Sequence, residues 1–256
     1  MKNGKLAPFR WKTATRTPQE QSYMADLEDC IESSSFSAVE QFMNFPLYVP
    51  RQNIANFLVK YELFKRILNV HGSIVECGVA FGAGLMAFAQ LSAIFEPVNH
   101  QGRIFGFDTF SGFPSLSEND RKSESREARK GGCAVDSYEE ISRCIRLFDQ
   151  NRFVGHIPKV ELVRGDATKT IPQFIDDNPQ LIVRLLYLDF DLYEPTKIAI
   201  ENFLPRMPKN AIIAFDELNL RDWPGETVAA LETLRINNLT LERFPFGSTI
   251  SFARVG

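Results

Sequence analysis

Histidine, cysteine and tryptophan are all scarce in this sequence, with three, four and two copies in 256 residues. The cysteines, Cys30, Cys77, Cys133 and Cys144, form no CxxC pair and no Cys/His ligand spacing, so a zinc site of that kind is excluded. Cys77 falls inside an apolar strand pattern, and the set reads as reduced thiols of a cytoplasmic protein. No apolar run is long enough to span a bilayer. The net charge is −3, which gives no general attraction to nucleic acid or to an anionic membrane. The segment Met1–Lys12 carries Lys2, Lys5, Arg10 and Lys12 without an apolar stretch, which predicts a fraying arm and no secretory signal. Internal repeats and low-complexity blocks are absent as well.

What is present is an alternation. From Ile74 onward, short apolar runs trade places with helical patterns, as in a parallel sheet with crossover helices. Strands are expected at Ser73–Cys77, Arg103–Asp108, Val160–Gly165, Val183–Phe190 and Ala211–Phe215. Leu239–Phe244 and Thr249–Ala253, on either side of a Pro245–Gly247 turn, predict a closing antiparallel hairpin. Helices are expected at Gln52–Leu68, Ala83–Phe95, Tyr138–Phe148, Pro195–Phe203 and Thr227–Ile236. Residues from about Thr17 to Phe45 read as a helical cap. The domain boundary is set at 70, with an arm and cap before it and one α/β domain over 71–256. Within 113–136, the stretch Pro114–Gly132 holds nine charged residues, among them Asp120, Arg121 and Glu127. It reads equally as a solvated loop and as an active-site lid.

Ligands of open α/β sheets bind at the carboxyl ends of the strands. Glu76, Asp108, Asp166, Asp189 and Asp216 all fall at or just past such ends, and that shared rim is a stronger signal than any one motif. After the first strand, Glu76 is followed by Gly78, Val79, Ala80, Gly82 and Gly84, a G-x3-G-x-G turn. A dinucleotide site would favour GxGxxG and no carboxylate beside the pyrophosphate. The acid instead suits the ammonium and sulfonium charges of S-adenosylmethionine. In Asp108–Thr109–Phe110–Ser111, the acid is placed to accept from ribose hydroxyls and Phe110 to flank adenine. In Gly165–Asp166–Ala167, the acid serves equally as an adenine contact and as a helix N-cap.

Asp189, Asp216 and Glu217 form the first-choice set for a hard cation such as Mg²⁺, with Asp191 in reserve. Carboxylates converging this closely repel one another unless a cation or raised pKa values relieve them. His71, His100 and His156 all precede strands, on the opposite rim. A carboxylate such as Asp189 is therefore the candidate general base.

With these residues assembled, the chain resembles the macrocin O-methyltransferase family of metal-dependent sugar O-methyltransferases. The resemblance rests on VECGVAFGAG (75–84), GFDTFSGFP (106–114), SYEEI (137–141), VELVRGDATKTIP (160–172), LYLDFDLYEPT (186–196), IIAFDE (212–217) and DWPG (222–225). The chain departs from the family pattern at Phe81, Phe190, Glu217 and Leu218. The resemblance implies a class I methyltransferase fold, a seven-stranded, mostly parallel α/β sheet with a closing hairpin. It also implies S-adenosylmethionine bound by Glu76, Gly78, Asp108, Ser111 and Asp166, and Mg²⁺ held by Asp189, Asp216 and Glu217. The acceptor would be a hydroxyl of a sugar, glycoside or glycan, and the resemblance further implies a homodimer. A catechol-like phenol as acceptor, or cosubstrate binding without turnover, are the alternative expectations.

Overall fold

The structure, a computed structural model, describes residues 17–247 and 249–256, so the expected N-terminal arm lies outside the described residues. The chain divides into two compact units, 1–54 and 55–256.

In the first unit, α1 (Pro18–Glu32) and α2 (Ala38–Met43) each begin with a reciprocal capping box, Thr17 with Glu20 and Ser37 with Glu40. The Thr-x-x-Glu and Ser-x-x-Glu spacings dictate this, since each hydroxyl and each carboxylate satisfies one orphan amide. A 3₁₀ turn at Phe45–Leu47 follows.

The helix α3 (Arg51–Ile67) leads into the second unit. That unit contains β1 (Ser73–Cys77), α4 (Ala83–Phe95), β2 (Ile104–Asp108), α5 (Tyr138–Gln150), β3 (Val160–Arg164), α6 (Ala167–Asp177), β4 (Val183–Leu188), α7 (Tyr193–Phe203), β5 (Ile212–Phe215), α8 (Pro224–Leu234), β6 (Glu242–Arg243) and β7 (Ser251–Arg254). The sheet order is β3-β2-β1-β4-β5-β7-β6. β1 to β5 run parallel, and β7 pairs antiparallel with both β5 and β6. The expected hairpin forms, with a first strand reduced to Glu242–Arg243.

Strand alternation sends side chains to two cores. Ile74, Ile104, Leu185, Tyr187, Ile212, Ala214 and Phe252 meet Leu63 and Phe64 of α3 and Phe88 of α4 on one face. Val75, Phe107, Leu186, Leu188, Ile213 and Phe215 meet Ile171 of α6, Phe203 of α7 and Ala230 of α8 on the other. Each buried aliphatic or aromatic side chain contributes about 1.5–3 kcal/mol, so both helical layers are held firmly to the sheet. Phenylalanines fill the second core edge to face, with Phe107 5.2 Å from Phe174 and 5.6 Å from Phe203. No helix among the described residues is long and apolar enough to cross a membrane.

The chain runs outward from β1 through β2 to β3, then returns to build β4 and β5 on the other side. The order therefore reverses between β1 and β4, and the crevice at their carboxyl ends is the natural ligand position.

Candidate functional site

The glycine turn stands at that reversal. Gly78 adopts φ +94°, and a Cβ on it would lie 1.9 Å from the Asp189 carbonyl oxygen. Only glycine lets β1 and β4 end so close together. Gly84, in the first turn of α4, is equally tight: a Cβ there would sit 1.9 Å from Glu76 Oε1. Between them Ala80 holds a left-handed φ of +46°. Its amide donates to Asp108 Oδ2 at 2.9 Å, and its carbonyl accepts the Ser137 hydroxyl at the start of α5.

Asp108 does more than end β2. Its carboxylate accepts the Val79 amide at 2.8 Å and the Ala80 amide on one oxygen, and the Phe110 amide at 2.7 Å on the other. It thus fixes both loops of the crevice. Phe110 is buried, its ring 5.2 Å from that of Tyr138. Thr109 donates to the Gly112 carbonyl at 2.7 Å and accepts the Ser111 amide, while Ser111 stays exposed. The Gly165 amide donates to the Asp108 carbonyl at 2.9 Å. Asp166 caps α6, accepting the Thr168 amide and hydroxyl, and Ala167 packs into the second core. The structure thus gathers these residues along the ends of β1, β2 and β3.

Glu76 projects from β1 onto the face below α3 and α4. It is buried, and its Oε2 has no hydrogen-bond partner among the described residues. Burial pushes its carboxyl up to about 8, against the opposing pull of the Lys60 charge.

The second group lies past β4 and β5. Carboxylate oxygens of Asp189, Asp191 and Glu217 all come within 4.8 Å of one another. Asp216 stands outside this group and accepts the Tyr187 hydroxyl at 2.5 Å. Tyr187 on the neighbouring strand holds it there, and the Asp216 charge is still the first of those acting on Asp189. The arrangement thus joins the reserve acid Asp191 to Asp189 and Glu217. Burial, then the charges of Asp216 and Asp191, hold the Asp189 carboxyl well above the usual range. Burial and the neighbouring acids raise Glu217 and Glu226 likewise. Glu226, wholly buried in α8, accepts the Glu217 amide at 2.9 Å. Glu217 Oε2 is buried with no partner among the described residues. Three mutually repelling, oxygen-only donors with an orphaned buried oxygen fit a hard divalent cation.

The charged stretch after β2 is docked. Asp120, only 2% exposed, accepts the Tyr193 amide at 2.8 Å and the Ser117 amide and hydroxyl. Ser123 donates to the Asp222 carbonyl, and Phe113 meets the Trp223 ring at 5.6 Å. The loop is thereby pinned to the starts of α7 and α8, just past Asp191. Its remaining charges face solvent.

Lys60, Asp120, Ser137, Tyr187 and Glu226 are the site neighbours that sequence reasoning missed. The signals for three of them were slight: a lysine in an apolar helix, a serine opening SYEEI and a glutamate following DWPG. The histidines stand apart. His71 lines an opening of about 240 Å³ at the amino ends of the strands, beside the ion pair of Arg184 with Glu96.

A family model described as a methyltransferase domain matches residues 75–218. Among solved structures, the chain is 34% identical to CalS11, a calicheamicin methyltransferase, over 94% of each chain with a TM-score of 0.90. The apo structure of CalS11, described as a TDP-rhamnose 3'-O-methyltransferase of calicheamicin biosynthesis, is 33% identical. It matches over 94% of this chain and 96% of that chain, with a TM-score of 0.81. The O-methyltransferase NovP is 20% identical over 78% and 79% of the two chains, with a TM-score of 0.61, a likeness of fold alone. None of the curated proteins compared matches the chain.

Proposed function

The chain belongs to the methyltransferase-domain family and has the class I methyltransferase fold, and on that premise we propose that it methylates a sugar hydroxyl. It is an S-adenosylmethionine-dependent O-methyltransferase. The acceptor class is a sugar on a nucleoside diphosphate or glycoside, as in the macrocin-type enzymes it resembles; CalS11's TDP-rhamnose chemistry supports this. The observation that carries the reading is the contact of Gly78 with Asp189, which puts the glycine turn and the acid group in one crevice.

The turn residues Gly78, Val79, Ala80 and Gly82 would face the methyl donor, with Glu76 below them. Thr109, Phe110, Ser111, Gly165, Asp166 and Ala167 would frame its nucleoside end, on loops that Asp108 fixes. The acceptor oxygen forms a bond to the methyl carbon as the carbon–sulfur bond breaks, and its electron pair passes to sulfur. S-adenosylhomocysteine leaves, and a carboxylate oxygen of Asp189 takes the hydroxyl proton. A divalent cation such as Mg²⁺, held by Asp189 and Glu217 with Asp191 or Asp216, would supply a lowered acceptor pKa. As the carboxylates stand, Asp191→Asn is expected to weaken Mg²⁺ binding more than Asp216→Asn; calorimetry showing the reverse order gives the third place to Asp216.

The reading is tested by titrating the protein with S-adenosylmethionine and assaying nucleoside-diphosphate sugars, with Mg²⁺ and with EDTA. A methylated sugar formed only with the cation is expected. Absence of cosubstrate binding would sink the reading, and methylation of catechols alone would replace its acceptor.

Glu76 gives a pH signature. With its carboxyl at about 8, it is protonated in the free protein at neutral pH, whereas the ammonium of the cosubstrate favours its ionised form. Binding then releases a proton below that pH. Affinity for S-adenosylhomocysteine should rise by up to about tenfold per pH unit toward pH 8 and level off above it. Glu76→Gln should bind weakly with a flat profile, and an equally flat wild-type profile would refute the role.

A further inference from the structure

The buried stripe of α3 is Val59, Lys60, Leu63, Phe64 and Ile67, and Lys60 is its one charged member. It is 7% exposed, and its ammonium lies 3.6 Å above the centre of the Tyr187 ring. Among the described residues it has no hydrogen-bond or ion-pair partner: only that ring is in contact, while its charge acts on Glu76 and Asp189 from beyond ion-pair distance. A lysine this deeply buried ordinarily has an acceptor, because an unpaired buried charge is costly. A cation–π contact satisfies only part of that need.

The missing acceptor has a place. Lys60 Cε and Glu76 Oε1 both crowd the first turn of α4: a Cβ on Gly84 would lie 3.3 Å from the one and 1.9 Å from the other. The two side chains nevertheless form no ion pair, and among the described residues Glu76 Oε2 has no hydrogen-bond partner. An ammonium and a carboxyl, adjacent and each short of a partner, match an α-amino acid zwitterion with its charges reversed. The positive N-terminal end of α4 further favours the negative half beside Lys60.

We propose that Lys60 binds the carboxylate at the methionine end of S-adenosylmethionine, while Glu76 takes the ammonium. The inference rests on the methyltransferase reading above. If Lys60 served only to offset Glu76 and Asp189, every ligand of the crevice would depend on it alike.

Three ligands separate these roles. S-adenosylmethionine carries the carboxylate, decarboxylated S-adenosylmethionine lacks it, and 5'-methylthioadenosine lacks the whole amino-acid end. Calorimetric affinities are compared for the wild type, Lys60→Met, which keeps the apolar stem, and Lys60→Arg, which keeps the charge. Lys60→Met is expected to lose roughly 10- to 100-fold in affinity for S-adenosylmethionine and little for the other two. Lys60→Arg should recover part of the loss. An equal loss for all three ligands, or no loss, overturns the proposal. Should Lys60→Met fail to fold, the wild type decides: equal affinity for the methyl donor and its decarboxylated form refutes the contact. A wild type that binds none of the three refutes the methyltransferase reading itself.

Discussion

Asp189→Asn is expected to lower the methyl-transfer rate by about three orders of magnitude, with S-adenosylhomocysteine affinity held within a few-fold. Asparagine is nearly isosteric with aspartate and keeps the backbone bond of residue 189 to the Cys77 carbonyl, 2.8 Å in the wild type. The crevice wall against Gly78 is therefore preserved. What is lost is the proton acceptor and one charge of the acid group. The same substitution should leave the metal-free protein at least as stable as the wild type. Asp189 is held against burial and against the charges of Asp216 and Asp191, so neutralising it removes repulsion. Activity and stability thus move in opposite directions, as at sites built for function. Single-turnover kinetics beside thermal unfolding would check both. An activity within tenfold of wild type would take the base role from Asp189.

Where one physical signal dominates, the sequence is readable to the residue. β1 and α4 have the bounds expected of them, because a run of buried apolar residues stops at a glycine turn and a helix begins after it. β4 reads two residues too long. Phe190 is apolar and packs on the second core, although pairing has ended at Leu188. The helix α6, with Pro172 inside it, is absent from the helices expected of the sequence, although Asp166 reads there as an N-cap. The cap at Asp166 was the available clue. α8 begins at Pro224, earlier than expected, because proline and glycine together resemble a turn and here occupy its first positions.

The site was legible as a rim and less so as a geometry. Strand polarity places every acid at the correct end, but the partner of each acid comes from elsewhere in the chain. Tyr187 draws Asp216 aside, and Asp120 finds the Tyr193 amide 73 residues away. A count of charges makes the segment around Asp120 look solvated throughout. In α3, apolar spacing favours Phe57 and Leu58, yet each is 42% exposed while Lys60 is buried. A lysine is scored as polar whatever its stem packs against, so the residue best placed to hold a ligand carboxylate was the one that periodicity concealed.

Gly78→Ala should be the most damaging small substitution in the crevice, and it tests whether the turn and the acids form one mechanical unit. The new methyl would need a left-handed backbone at φ +94°, and would lie 1.9 Å from the Asp189 carbonyl oxygen and 2.6 Å from its carbon. Neither side can withdraw freely. The Gly78 amide donates to the Phe107 carbonyl and the Asp189 amide to the Cys77 carbonyl, each at 2.8 Å, so both strand ends are tied into the ladder. Backbone strain and overpacking together cost about 2–5 kcal/mol. Gly131→Ala is the control: its φ is +74°, but nothing lies within 4 Å of the added Cβ, so only about 1 kcal/mol of strain is expected. The Gly78 variant should therefore unfold at markedly lower temperature than the Gly131 variant. It should also lose S-adenosylhomocysteine and Mg²⁺ binding together, since pushing Asp189 back displaces a ligand as the turn shifts. If the alanine protein keeps its affinity for Mg²⁺ while losing the nucleoside, the two halves of the crevice move independently, and the Gly78–Asp189 contact cannot be what aligns donor with acceptor.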